Sequence, residues 1–83
     1  MPIFDLKLYG MVHIRQLLRA LEDYDGWRLN QRPPRIEGRG YLVDILQAPG
    51  LPDMFVVECS GSDRVTIWLA EFSIEEIETL PDK

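Results

Sequence analysis

Residues 38–80 read GRGYLVDILQAPGLPDMFVVECSGSDRVTIWLAEFSIEEIETL. Three runs in this stretch alternate side chains with the period of two that a strand imposes. In Tyr41–Leu46, Tyr41, Val43 and Ile45 share one face and Leu42, Asp44 and Leu46 the other. In Met54–Cys59, Phe55, Val57 and Cys59 oppose Met54, Val56 and Glu58. In Arg64–Ala70, Val65, Ile67 and Leu69 oppose Thr66, Trp68 and Ala70. The segments between, QAPGLPD and SGSD, carry the Pro, Gly, Ser and Asp of turns. The stretch closes on Ser73-Ile74-Glu75-Glu76, the pattern of a capping box. Ser73 is placed to bond the N–H of residue 76, and Glu76 to reach back to the N–H of residue 73. Phe72 and Ile77 flank the box at the spacing of a hydrophobic staple, and Glu75 and Glu76 suit the positive end of the turn. Thr79-Leu80-Pro81 ends it.

The same text resembles a family of short, uncharacterised bacterial proteins with SH3-like barrels. GRGYLVDIL, MFVVEC and DRVTIWLAEFSIEEIETL stand where that family carries a glycine-led TVVEI-type strand, an FEVEF-type strand, and a strand ending in a leucine-rich turn of acids. The resemblance covers Gly38–Leu80, about half the chain. It implies the order of an SH3-like barrel, in which a one-turn helix and a brief final strand follow the hairpin. It brings no catalytic residues and leaves function open.

The first half departs from that pattern. Phe4, Leu6 and Leu8 alternate with Ile3, Asp5, Lys7 and Tyr9, which predicts a strand broken at Gly10. From Met11 to Tyr24 the period changes. Ile14, Leu17, Leu18 and Leu21 recur at i, i+3, i+4 and i+7, one face of an α-helix, with Asp25-Gly26 as its stop. Trp27–Glu37 (WRLNQRPPRIE) is a connection, because Pro33-Pro34 excludes regular helix. The expected fold is therefore α+β in one domain, 1–83. An SH3-like, strongly bent antiparallel sheet or barrel fills 38–80, an added N-terminal strand and one α-helix fill 1–26, and a Pro/Arg loop spans 27–37. The alternative is an open β-α-β-β-β sheet with the helix on one face. The helix stripe is expected to cover Leu42, Leu46, Met54, Val56 and Trp68; uncovered, Trp68 would be a binding anchor.

Composition narrows the function classes. A chain of 83 residues that is 46% hydrophobic and 28% charged is an ordinary small globular domain. Its core is modest, so association with a partner or a second copy would add burial, and a homo-oligomer is one expectation. The net charge of −5 argues against nucleic acid and anionic membranes as partners. The charge is unevenly placed. Arg28 to Arg39 holds four arginines against Glu37, a local +3, whereas Glu71 to Lys83 holds five acids against one base, a local −4. Cys59 is the only cysteine, so no internal disulfide forms. No signal-peptide pattern or apolar span is visible, and a reducing cytoplasm is the expected location.

No catalytic set, cofactor motif or metal-ligand cluster is recognisable. His13 stands alone, Cys59 lacks a base, and Asp44 with Glu58 reads as two solvated carboxylates. The candidate binding residues are Trp27, Arg28, Arg32 and Arg35 in the loop, with Trp68 as a further anchor; the plainer alternative packs Trp27 on the barrel and pairs the arginines with the acidic tail. Trp and Arg dominate interface hot spots, and arginines beside an aromatic can also stack on bases. The expectation is a non-catalytic module that binds an unknown protein partner. The alternatives are a nucleic-acid-binding module built on the same arginines, and an acidic inhibitor or antitoxin-like protein using Glu71, Glu75, Glu76, Glu78 and Asp82. The local text generates one stability expectation: Ser73→Ala lowers the unfolding free energy by about 1 kcal/mol, read from urea denaturation.

Overall fold

Met11-Val12-His13-Ile14 fits two periods at once, and the molecule uses the shorter. The computed structural model describes residues 6–79, and there Met11–Ile14 is a strand, β1, with Val12 and Ile14 buried and Met11 exposed. The expected α-helix over 11–24 does not form. Its stripe is scattered: Ile14 enters the core, while Leu18 and Leu21 are 57% and 50% exposed. The physical reason is the hydrogen bonds on offer. A helix of this length is marginal alone. As a strand, by contrast, β1 lies between two neighbours and satisfies its backbone on both edges. Of the expected strand at 3–9, residues 3–5 lie outside the described residues. Lys7 to Gly10 is a turn, in which the Gly10 N–H donates to the Lys7 carbonyl at 3.0 Å.

The remaining strands are β2 (Arg39–Leu46), β3 (Met54–Ser60), β4 (Thr66–Phe72) and β5 (Ile77–Thr79). All pair antiparallel in one five-stranded sheet of order β4-β3-β2-β1-β5. Helical structure among the described residues is confined to 3₁₀ turns at Leu21–Tyr24 and Ile74–Glu76. The α+β expectation is corrected accordingly: the described chain is almost wholly sheet and loop.

Two β-bulges decide which side chains reach the core. Leu42 pairs with Val57 but Asp44 pairs with Val56, so Val43 is an extra residue in β2. Leu42 and Ile45 therefore both turn to the core, whereas unbroken alternation would set them on opposite faces. In β4, Cys59 pairs with Trp68 and Ser60 with Thr66, which makes Ile67 the extra residue. Thr66 then faces outward and donates to Glu58, while Trp68, Ala70 and Phe72 point inward. The sequence pattern placed Trp68 with Val56 under a helix. It instead sits across from Cys59, on the Phe55 and Val57 side, and is 1% exposed.

The core joins Val12, Ile14, Leu42, Phe55, Val57, Ala70 and Ile77 to an aromatic group. Tyr24 stacks on Phe72 at 5.3 Å between ring centres, and Trp68 meets Phe72 edge-on at 5.9 Å. Phe72 and Ile77, the staple residues, are both buried here. Gly40 lets β2 and β3 approach closely: a Cβ there would lie 2.6 Å from the Glu58 carbonyl oxygen and 2.8 Å from Val57 Cγ1. Because a backbone carbonyl must move to make room, Gly40→Ala is expected to cost about 2 kcal/mol in urea or thermal unfolding. An unchanged midpoint would show that the strands can part without loss.

Candidate functional site

The segment from Arg15 to Gly38 passes over one end of the sheet and is fastened at two places. The first is Glu76. This carboxylate ends the capping box, yet it is 1% exposed. Its Oε1 accepts the Ser73 N–H at 2.8 Å and the Ser73 hydroxyl at 3.1 Å. Its Oε2 accepts the Leu18 N–H at 3.0 Å and the Tyr24 hydroxyl. The Glu76 carbonyl takes the N–H groups of Arg15 and Gln16. Burial alone would raise the Glu76 pKa, but the bonds from Leu18, Tyr24 and Ser73 outweigh it and hold the carboxyl below its ordinary value. Tyr24 is pushed the other way, by its own burial and by its bond to the Glu76 carboxylate. Arg19 completes the fastening. Its N–H donates to the Tyr24 oxygen at 3.0 Å, its guanidinium lies 4.4 Å from the Tyr24 ring centre, and its Nη2 donates to the Glu71 carbonyl.

The second fastening is Asn30-Gln31 on the outer edge of β4. Asn30 Oδ1 accepts the Leu69 N–H at 2.8 Å, and Asn30 Nδ2 donates to the Tyr24 carbonyl at 3.0 Å. The Gln31 N–H donates to the Ile67 carbonyl at 2.7 Å, and its side-chain amide to the Thr66 carbonyl at 2.8 Å. These bonds blunt a sheet edge that would otherwise be open for pairing. A short edge strand at Trp27–Leu29, which the alternation of those residues suggests, is absent: Arg28 takes a left-handed φ of 58° within a turn.

Between and beyond these anchors the loop displays most of its side chains, while Pro34 is buried. Trp27 is 41% exposed, and Arg28, Leu29, Arg32, Arg35 and Ile36 are exposed as well. Among the described residues, Arg28, Arg32 and Arg35 make no side-chain hydrogen bond or ion pair, so the acidic end of the chain does not neutralise them there. Arg32 lines a shallow depression of about 240 Å³ with Leu21, Glu22, Asp25 and Pro33. Trp27, Arg28 and Arg35 are not part of that depression. Trp68 leaves the list of candidate site residues, because the core encloses it.

No protein-family model, curated protein or solved structure matches this chain.

His13 faces outward from β1, with Nδ1 3.7 Å from a Glu37 carboxylate oxygen and Nε2 3.5 Å from one of Glu78. Among the described residues, no three His, Cys, Asp or Glu side chains are grouped to hold a metal ion. Cys59 is a free, half-buried thiol packed against the core. Glu58 stands opposite Tyr41 and Asp44 opposite Val56, so these carboxylates are not a cross-strand pair. Among the described residues, no helix is long and apolar enough to cross a membrane.

Sequence reasoning found the exposed arginines and missed the groups that hold them. Glu76 was visible as a capping residue. Its bond to Tyr24, 52 residues away, had no local signature.

The Glu76 centre gives a pH dependence with a definite sign. A carboxyl held below its unfolded value of about 4.3 contributes stability above that pH and loses it as pH falls through the folded value. Stability is therefore expected to decline from about pH 4.5 downward, and Glu76→Gln should flatten this acid limb while lowering stability at neutral pH. Tyr24, whose pKa is raised, adds a loss above about pH 10 that Tyr24→Phe removes. At pH 7, Tyr24→Phe costs about 2 kcal/mol through the lost bond to a buried charge. Urea titrations across pH check both variants, and an acid limb unchanged in Glu76→Gln would refute the assignment.

Proposed function

We propose that the chain is an SH3-like barrel acting as a small, non-catalytic protein-interaction module, with the Trp27–Arg35 loop as its binding element. The fold assignment rests on the resemblance of Gly38–Leu80 to short bacterial SH3-like proteins. Three features support it: the sheet order β4-β3-β2-β1-β5, the 3₁₀ turn between β4 and β5, and bulges that bend β2 and β4.

One observation carries the functional proposal. The backbone of the loop is fixed on both sides while its aromatic, aliphatic and guanidinium groups stay exposed. Ordering a loop is a main cost of association, and here folding has already met it. Trp and Arg held on a rigid frame are what a hot spot requires. Arginines without partners among the described residues also favour a nucleic-acid reading, which the net charge of −5 opposes. The acidic-inhibitor reading loses Glu76, whose oxygens are buried and occupied, and Asp82 lies outside the described residues. A cytoplasmic location accords with the interaction reading.

Affinity capture with the tagged chain tests the proposal. Wild type should retain a specific protein that Trp27→Ala and Arg32→Ala each reduce at least tenfold. Capture unaffected by either change would overturn the loop as the binding element. A salt-sensitive shift with DNA or RNA, together with no protein capture, would transfer the assignment to nucleic acid.

A further inference from the structure

Opposite in character to the loop is a groove where the β2–β3 connection meets the 3₁₀ turn at Ile74–Glu76. Leu6, Pro52, Phe55 and Ile74 line a volume of about 390 Å³, larger than the depression beside Arg32. Asp53 and Glu75 are its charged residues, and both are exposed. Asp53 accepts one bond, from the Gln47 amide at 3.2 Å. The Glu75 carboxylate has no hydrogen bond or ion pair among the described residues. The Ser73 hydroxyl, which also lines the groove, is turned to Glu76. Among the described residues, the groove thus offers an apolar floor and anionic acceptors, with no basic residue in its lining. Its complement is a segment in which apolar and cationic side chains alternate.

This chain carries such a segment. Trp27, Leu29, Pro33 and Ile36 present exposed apolar groups beside the three guanidinium groups of Arg28, Arg32 and Arg35, which have no partners among the described residues; Pro34 between them is buried. We infer that the occupant of the acid-rimmed groove is the Arg28–Arg35 loop of a second copy of this chain. The inference rests on the loop being a binding element and names its partner. If each copy inserts its loop into the other's groove, the contact is self-complementary and closes as a two-fold dimer. A stable pair needs about 800 Å² from each partner, roughly a seventh of the 5842 Å² surface of the chain. Two reciprocal contacts share that requirement. Because the chain as a whole is anionic, the local charge match supplies the orientation and the apolar groups the affinity.

Sedimentation velocity over a range of protein concentrations tests this. Wild type should shift with concentration from the 9.6 kDa monomer to twice that mass. A loop variant (Arg28→Glu, Arg32→Glu, Arg35→Glu) and a groove variant (Asp53→Arg, Glu75→Arg) should each remain monomeric. Mixed in equal amounts, the two should regain the dimer, since both contacts are then again between opposite charges. The milder Glu75→Gln, with folding checked by near-UV circular dichroism, should weaken the dimer at least fivefold without disturbing the fold. A wild type monomeric up to about 1 mM would overturn the inference, as would a dimer that survives both charge reversals. A strict monomer that still captures another protein through Trp27 and Arg32 would overturn the dimer and leave the loop's role as a binding element intact.

Discussion

The structure depends on a buried carboxylate. Glu76 joins the end of β4, which it reaches through Ser73, to a segment more than 50 residues away, which it holds through Leu18 at the exit of β1 and through Tyr24 in the core aromatic group. A charge in such a place is tolerable only when its lone pairs are filled. Here the donors are two backbone N–H groups and two hydroxyls, with no cation among them. With no counterion among the described residues, the site draws its stability from fixed dipoles in register with the fold. The arrangement therefore specifies the path of the chain from Arg15 to Tyr24 as well as stabilising it. Any other path leaves the carboxylate short of donors.

That constraint explains where the sequence was legible. β2, β3 and β4 were visible because alternation and turn residues are local signals, and the capping box located the final turn. The faces of β2 and β4 were misread at Val43 and Ile67, because a bulge depends on the partner strand and leaves no mark on the period of its own strand. The larger error lay at 11–24. Ile14, Leu17, Leu18 and Leu21 have helical spacing, but that pattern is an average over packing environments. The pull of Glu76 on the Leu18 N–H, from 58 residues away, cannot be seen in any local window.

The candidate site shows the same division. Trp27, Arg28, Arg32 and Arg35 stood out as a surface candidate from residue type, with packing of Trp27 on the barrel as the alternative; all four are exposed. Trp68 was misplaced together with the helix that was to cover it. Asn30 and Gln31, which hold the loop against β4, read in the sequence as ordinary loop amides. Function and scaffold are thus interleaved along the chain, so that neighbouring residues such as Gln31 and Arg32 serve different ends.

The interior position of β1 has a kinetic side. Its outer partner β5 is the last strand of the described chain, with Val12 pairing Thr79 and Ile14 pairing Ile77. Contacts between such distant residues form late, because a long loop must close before they return any free energy. Until then nothing holds Arg15–Tyr24 to Glu76, and the helical spacing of Leu17, Leu18 and Leu21 competes with the native path. The chain therefore carries a built-in local conflict that its final residues resolve. Folding speed should depend on how strongly that spacing competes while β5 is still unpaired.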